Sequence, residues 1–250
     1  MTMLKEILNS FPGRCHVGKK IPQKLFLANE QLSAGDKRLV KNNIKEVMVQ
    51  YQISAMNSSV ESYADNERQY NEVLVIEARI KIPRQLNQLT EMIHRSIPNP
   101  VFLIVAYGDE YRFSVADKRI NQADDNKRVV EDIISSEWIG RESENGIERD
   151  FTKSFSGISG ATNLFLLYQD LKKRVIALIL AAHTGRFRLE SPLTVDEQVK
   201  LFRKIDELEK LAVGLRLKLK GEKQLGRQVE INVQIKNIED KIYQSRSLIQ

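Results

Sequence analysis

The residues whose spacing carries the most chemistry are Glu77 and Arg79, two positions apart in the string VLVIEARIK. On a strand such positions share a face, so a carboxylate and a guanidinium would stand side by side. A carboxylate two residues before a lysine is half of a metal-dependent nuclease motif, in which the acid binds Mg²⁺ and the cation positions the attacking water. Asp65, upstream, is the candidate for the missing acid. Against this, arginine is a poor stand-in for a catalytic lysine, and charged residues on the solvated face of a strand produce the same string. The ordinary strand face is therefore the weightier reading. Cys15 and His16 are adjacent, which does not orient a thiol and its base. His94 reads as a surface or core-edge histidine, and Asp109 and Glu110 as turn residues. One cysteine and three histidines exclude an internal disulfide and a zinc cluster built from these residues alone. Gly157 and Gly160 lack the lysine and preceding strand of a P-loop. No catalytic constellation is complete, no metal or cofactor is indicated, and the sequence points away from an enzyme more than towards one.

The elements that must position these residues follow from periodicity. A helix is expected from Ser33, a plausible N-cap, past Leu39, Val40 and Ile44, passing into strand alternation at Val47, Val49, Tyr51 and Ile53. The polar stretch from Asn57 to Asn71 reads as a loop, followed by a strand over 72–82 that Pro83 ends. Leu86, Leu89, Ile93 and Ile97 recur at helical spacing. Val101 to Tyr107, the Gly108-Asp109-Glu110 turn and the alternation from Tyr111 to Val115 predict a hairpin, and 127–139 a fifth strand. The fold class expected over 1–140 is α+β, a mostly antiparallel five-stranded sheet covered by helices on one face. Residues 141–160, rich in Gly and polar residues, read as the link, and 161–250 as a helical arm. In the arm, Thr194 with Glu197 makes a capping box, and Ile231, Ile235, Ile238, Ile242 and Ile249 step 4, 3, 4 and 7 residues. That is the stripe of an antiparallel helical hairpin or a coiled coil, and it makes this part of the chain the expected partner-binding surface.

Charge is unevenly distributed. Residues 1–60 carry 9 basic and 4 acidic side chains, 61–150 carry 12 and 18, and 151–250 carry 18 and 11, so the middle is acidic and both ends are basic. Arg216, Lys220, Lys223 and Arg227 step 4, 3 and 4 residues and would form one row on a continuous helix, able to meet a nucleic-acid backbone. Gly221 is a point where that helix can break, and charged rows opposite an apolar seam are also what solvated coiled coils present. Lys19 and Lys20, with Arg14 and Lys24 nearby, form a second candidate nucleic-acid-binding cluster. The longest apolar run, Val175 to Ala182, covers eight residues, too few to span a bilayer. Lys5, Glu6 and Asn9 interrupt any signal-peptide core. A cytoplasmic protein with no membrane partner is expected.

Several strings together resemble an uncharacterised prokaryotic family, the domain of unknown function catalogued as four-three-nine-one. They are KKIP at 19–22, VLVIEARIK at 73–81, IPNPVFLIVAYGDEYRFSVADKRIN at 97–121, SSEW ending at Trp138, and EKQLGRQVEIN at 222–232. The resemblance covers nearly the whole chain. Leu225-Gly226 departs from the family's tendency towards an aromatic and a polar residue, so exact carry-over stops at that helix. What the resemblance implies is an accessory protein encoded near helicase, methyltransferase and other restriction or phage-defence genes, with no assigned chemistry. The expectation is thus a non-catalytic accessory or interaction subunit of a DNA-related antiviral defence or restriction system. It would dock a larger partner, a helicase or methyltransferase, through Ile231, Ile235, Ile238 and Ile242. A metal-dependent nuclease or a stand-alone nucleic-acid-binding protein is the alternative, and a homodimer through the C-terminal helices is the rival use of the stripe.

Overall fold

The computed structural model describes residues 2–28, 32–122, 124–140 and 146–248. The elements in order are α1 (Met3–Asn9), β1 (His16–Lys20), α2 (Gln23–Leu27), α3 (Ala34–Asn43), β2 (Ile44–Ser54), β3 (Tyr63–Ala64), β4 (Gln69–Tyr70), β5 (Glu72–Ile80), α4 (Leu86–Ser96), β6 (Val101–Tyr107), β7 (Glu110–Asn121), β8 (Asp124–Ser135), α5 (Ile147–Ser154), α6 (Leu164–Thr184), α7 (Val195–Gly221) and α8 (Leu225–Ser247). The chain divides into two compact units, residues 1–179 and 180–250. Of the expected link, residues 147–154 form α5 and 158–160 a short 3-10 turn, while 141–145 lie outside the described residues.

The α+β class holds, with two corrections to the sheet. It has six strands in the order β1-β2-β5-β6-β7-β8, and it is mixed, because β5 and β6 run parallel while every other neighbouring pair is antiparallel. The parallel pair follows from α4: a helix inserted between two neighbouring strands carries the chain back to the same end of the sheet. The sixth strand, β1, is exposed along its whole length, so it has no hydrophobic alternation to betray it. It exists as an edge because Lys19 and Lys20 pair with Val49 and Met48 of β2. A separate two-stranded hairpin, β3 with β4, occupies part of the stretch expected to be loop.

Helices cover both faces of the sheet, not one. On one face Leu74, Ile76, Ala78 and Ile80 of β5 meet Val40 of α3 and Leu89, Met92 and Ile93 of α4 in a continuous core. On the other, Phe102 and Phe113 pack against Phe151 and Phe155, with Phe11 beside Phe102 and Phe155. A strand sandwiched this way is apolar at successive positions, which accounts for the unbroken run Val73 to Ile76. The capping boxes are in place: Ser33 and Asp36 bond reciprocally at α3, and Thr194 and Glu197 at α7. The first part of α6 belongs to the sheet unit, since the buried Tyr168 hydroxyl accepts from the Ala116 amide at 2.9 Å. Among the described residues no helix is long and apolar enough to cross a membrane.

Candidate functional site

Glu77 stands on the face of β5 covered by the aromatic cluster, and its side chain is 2% exposed. A register shift in β2 between Val49 and Tyr51 inserts Gln50 beside it. Gln50 Nε2 donates to Glu77 Oε2 at 2.6 Å, and Arg79 Nε donates to Oε1 at 2.6 Å. Both carboxylate oxygens are therefore engaged. Burying a carboxylate is costly unless it is paired and hydrogen-bonded, and Arg79, half exposed at its outer end, supplies the pairing while keeping contact with water. The same contact pushes the Arg79 guanidinium above its ordinary range through its hydrogen bond and charge pairing with Glu77. Chemically the pair is a neutralised acid on a sheet face.

Asp65 lies in the β3–β4 turn, where its carboxylate accepts from the Glu67 and Arg68 amides at 2.8 and 2.6 Å and from the Tyr63 hydroxyl at 2.8 Å. Those bonds hold it below the usual carboxylate range, the Glu67 amide contributing most. Its partners are all in its own hairpin, and the structure does not bring it to Glu77. No group of three or more His, Cys, Asp or Glu side chains able to hold a metal occurs among the described residues.

In the C-terminal unit, α7 and α8 form a hairpin around a core of Ile205, Ala212, Leu215, Ile235, Ile238 and Ile242, with Leu201, Leu208, Leu219 and Ile231 packed against it. The isoleucine stripe thus closes onto its own chain, apart from Ile249, which lies outside the described residues. An apolar row that the spacing argument missed remains on the outside: Val213, Leu217, Leu225, Val229 and Val233 are each more than half exposed, Leu225 at 76%. Val229 and Val233 are four apart, as are Val213 and Leu217, so the signal was present in the sequence. It was masked by the more regular isoleucines.

The basic row does not run along one helix, because α7 ends at Gly221 and α8 starts at Leu225. Arg216 and Lys220 sit on α7, Lys223 in the turn and Arg227 on α8, all exposed. Arg216 pairs with Glu239 at 2.6 Å and Arg227 approaches Glu222 at 4.0 Å. Lys19 and Lys20 project from edge strand β1, and Lys20 pairs with Glu46 at 3.1 Å. His16 packs edge-on to the Tyr51 ring, while the Cys15 thiol donates to the Asn57 carbonyl at 3.2 Å. His94 is fully buried, not at the surface; its Nε2 lies 3.0 Å from the Ser114 hydroxyl, and burial pushes its pKa well below the ordinary histidine value. Near it Lys118, equally hidden from a periodicity argument, donates to the carbonyls of Ile97 and Asn99 at 2.5 and 2.6 Å.

A family model described as Domain of unknown function (DUF4391) matches residues 10–242. No curated protein and no solved structure matches the chain.

Proposed function

We propose, for a chain that belongs to the family Domain of unknown function (DUF4391), a non-catalytic accessory subunit that docks a larger protein through the outer face of its C-terminal hairpin. The observation that supports this reading is the exposed row Val213, Leu217, Leu225, Val229 and Val233. A hairpin that already satisfies its helices with an internal isoleucine core gains nothing in folding from these exposed aliphatic side chains, to which Leu211 at 53% adds another, and exposed apolar surface of this kind marks interaction sites. Over the span of the row, 213–233, stand Arg216, Lys218, Lys220, Lys223 and Arg227 against the acids Glu222 and Glu230, with Arg216 paired to Glu239. A partner segment that is apolar at its centre and acidic at its rim is the complementary surface. On what the resemblance drawn from the strings above implies, the subunit would serve a DNA-related restriction or phage-defence system, and the partner we propose is a helicase or methyltransferase encoded alongside.

The test is co-purification with that neighbouring gene product. Leu217→Asp with Val229→Asp is expected to abolish capture while leaving the helical circular dichroism unchanged; undiminished capture overturns the docking face. The second reading, a nuclease centred on Glu77, would require that carboxylate to give up Gln50 and Arg79, which engage both its oxygens. Cleavage of DNA or RNA in Mg²⁺ or Mn²⁺ that disappears in Glu77→Ala would establish it. A stand-alone nucleic-acid binder, using either Lys19 and Lys20 or the separate set Arg216, Lys220, Lys223 and Arg227, would show affinity falling steeply with salt.

A further inference from the structure

In the sheet unit a cavity of about 230 Å³ opens beside the loop that follows β2. Its interior is apolar: Phe11, Ile53, Val60, Ile158 and Leu167 line it, and each is at most 5% exposed. At its edge stand Arg14, Ser58 and Ser59. These residues come from four separate stretches of chain, so neither motif nor periodicity could have gathered them.

The edge is held in place before any ligand arrives. Arg14 Nη2 donates to the Ser59 hydroxyl at 2.9 Å, and the neighbouring Cys15 thiol donates to the Asn57 carbonyl at 3.2 Å. Asn57 in turn accepts from the Ser54 amide at 2.9 Å and donates to the Gln52 carbonyl at 2.7 Å. The loop is thereby fastened both to the end of β2 and to the segment carrying Arg14. Pre-organisation of this kind lowers the ordering cost of binding.

Arginine offers five N–H donors, and among the described residues the Ser59 hydroxyl is the one hydrogen-bond partner of Arg14; no carboxylate pairs with it there. Ser59, accepting from Arg14, retains its own proton to donate. A planar guanidinium with free donors matches a carboxylate in bidentate fashion, and the side chains of Phe11, Ile53, Val60, Ile158 and Leu167 offer an apolar wall for a hydrocarbon tail. The volume falls below the roughly 300 Å³ at which drug-sized sites begin, so the occupant is fragment-sized. We infer that this cavity binds a small aliphatic monocarboxylate, its carboxylate on Arg14 and Ser59 and its tail on Phe11, Ile53, Val60, Ile158 and Leu167.

The probe is hexanoate, added to the full chain carrying labelled isoleucine methyl groups and followed by NMR. Saturable shifts confined to Ile53 and Ile158 are expected, with half-saturation at roughly millimolar concentration for so few atoms. Hexanol, with the tail but no charge, and acetate, with the charge but no tail, are each expected to bind at least about 10-fold more weakly, the loss of one charge-assisted bond or of the buried tail. Arg14→Gln should weaken hexanoate to the level of hexanol, and Ser59→Ala should weaken it less. Both residues are exposed, so their variants fold, and the unshifted methyl spectrum verifies this. The absence of any shift, shifts spread over unrelated methyls, equal binding of hexanol, or undiminished binding by Arg14→Gln would each overturn the assignment.

Discussion

Truncating Ile238 to alanine separates a stripe spent on the chain's own hairpin from one kept for a second chain. Ile238 is 8% exposed and packs in the core shared by α7 and α8. The change removes three carbon atoms, worth about 2.4 kcal/mol at about 0.8 kcal/mol each. A residual cavity term raises this to about 3 kcal/mol, within the usual 2–5 kcal/mol for such truncations. Global unfolding is a poor probe for a chain of two units, so the measurement is amide hydrogen exchange resolved by peptide, which reads local stability. A loss of about 3 kcal/mol speeds exchange roughly 150-fold, and it should do so in α7 as well as α8, because the two helices share the core. Val229→Asp, at a position 55% exposed, should change exchange by less than about 5-fold, a surface effect within about 1 kcal/mol. Wild-type protection should not vary with protein concentration. Two results would refute the reasoning: unaltered protection of α7 in Ile238→Ala, or protection that falls on dilution, which would show that the stripe is buried by another copy.

Three further outcomes follow from single contacts. Tyr168→Phe removes a buried hydroxyl that accepts from the Ala116 amide and faces the Val101 and Ala116 carbonyls at 3.1 and 2.9 Å, so hydrogen exchange of the β6 and β7 amides should show a loss of local stability of about 1–3 kcal/mol; a neutral effect would mean the sheet satisfies those groups without it. Burial pushes the Lys118 ammonium down to about 7, below its unfolded value of about 10.4. The unfolded chain therefore holds more protons between those pH values, and stability should rise with pH across that window, by at most about 1.4 kcal/mol per unit. The bonds to Ile97 and Asn99 offset part of the cost of burial, and Lys118→Met should lack the rise; an identical pH profile in that variant would sink the assignment. Gly140 has φ +147°, and a β-carbon there would lie 2.2 Å from the Asp109 carbonyl oxygen. Gly140→Ala should cost about 2–3 kcal/mol and weaken the pairing of Ile139 with Tyr111, seen as faster exchange of the Tyr111 amide. Unchanged exchange would mean the clash relaxes freely.

The elements legible in advance were those whose signal is local. Thr194 and Glu197 announce the start of α7 because a capping box is made within four residues, and Leu86, Leu89 and Ile93 announce α4 because one helix face repeats every three to four positions. Strand β1 escaped because every residue in it is exposed, and an edge strand held by backbone pairing leaves no hydrophobic trace. The environment of Glu77 escaped for another reason: its partner Gln50 is 27 positions away and reaches it only through an irregularity in β2. Of the cavity residues, Arg14 was visible as a charge, but nothing local joins it to Ser59 or to the apolar floor.

By itself the sequence determined the α+β class, the positions of the long helices and most strands, and the existence of a C-terminal apolar stripe, because capping, alternation and helical period are properties of neighbours along the chain. Only the tertiary structure decided that β5 and β6 are parallel neighbours, that helices cover both faces of the sheet, and that the isoleucines close inward while Leu217, Leu225 and Val229 stay outside. The physical reason is common to all three. Periodicity says that a face must be buried, but burial is non-directional, and which surface covers that face depends on what the rest of the chain brings to it.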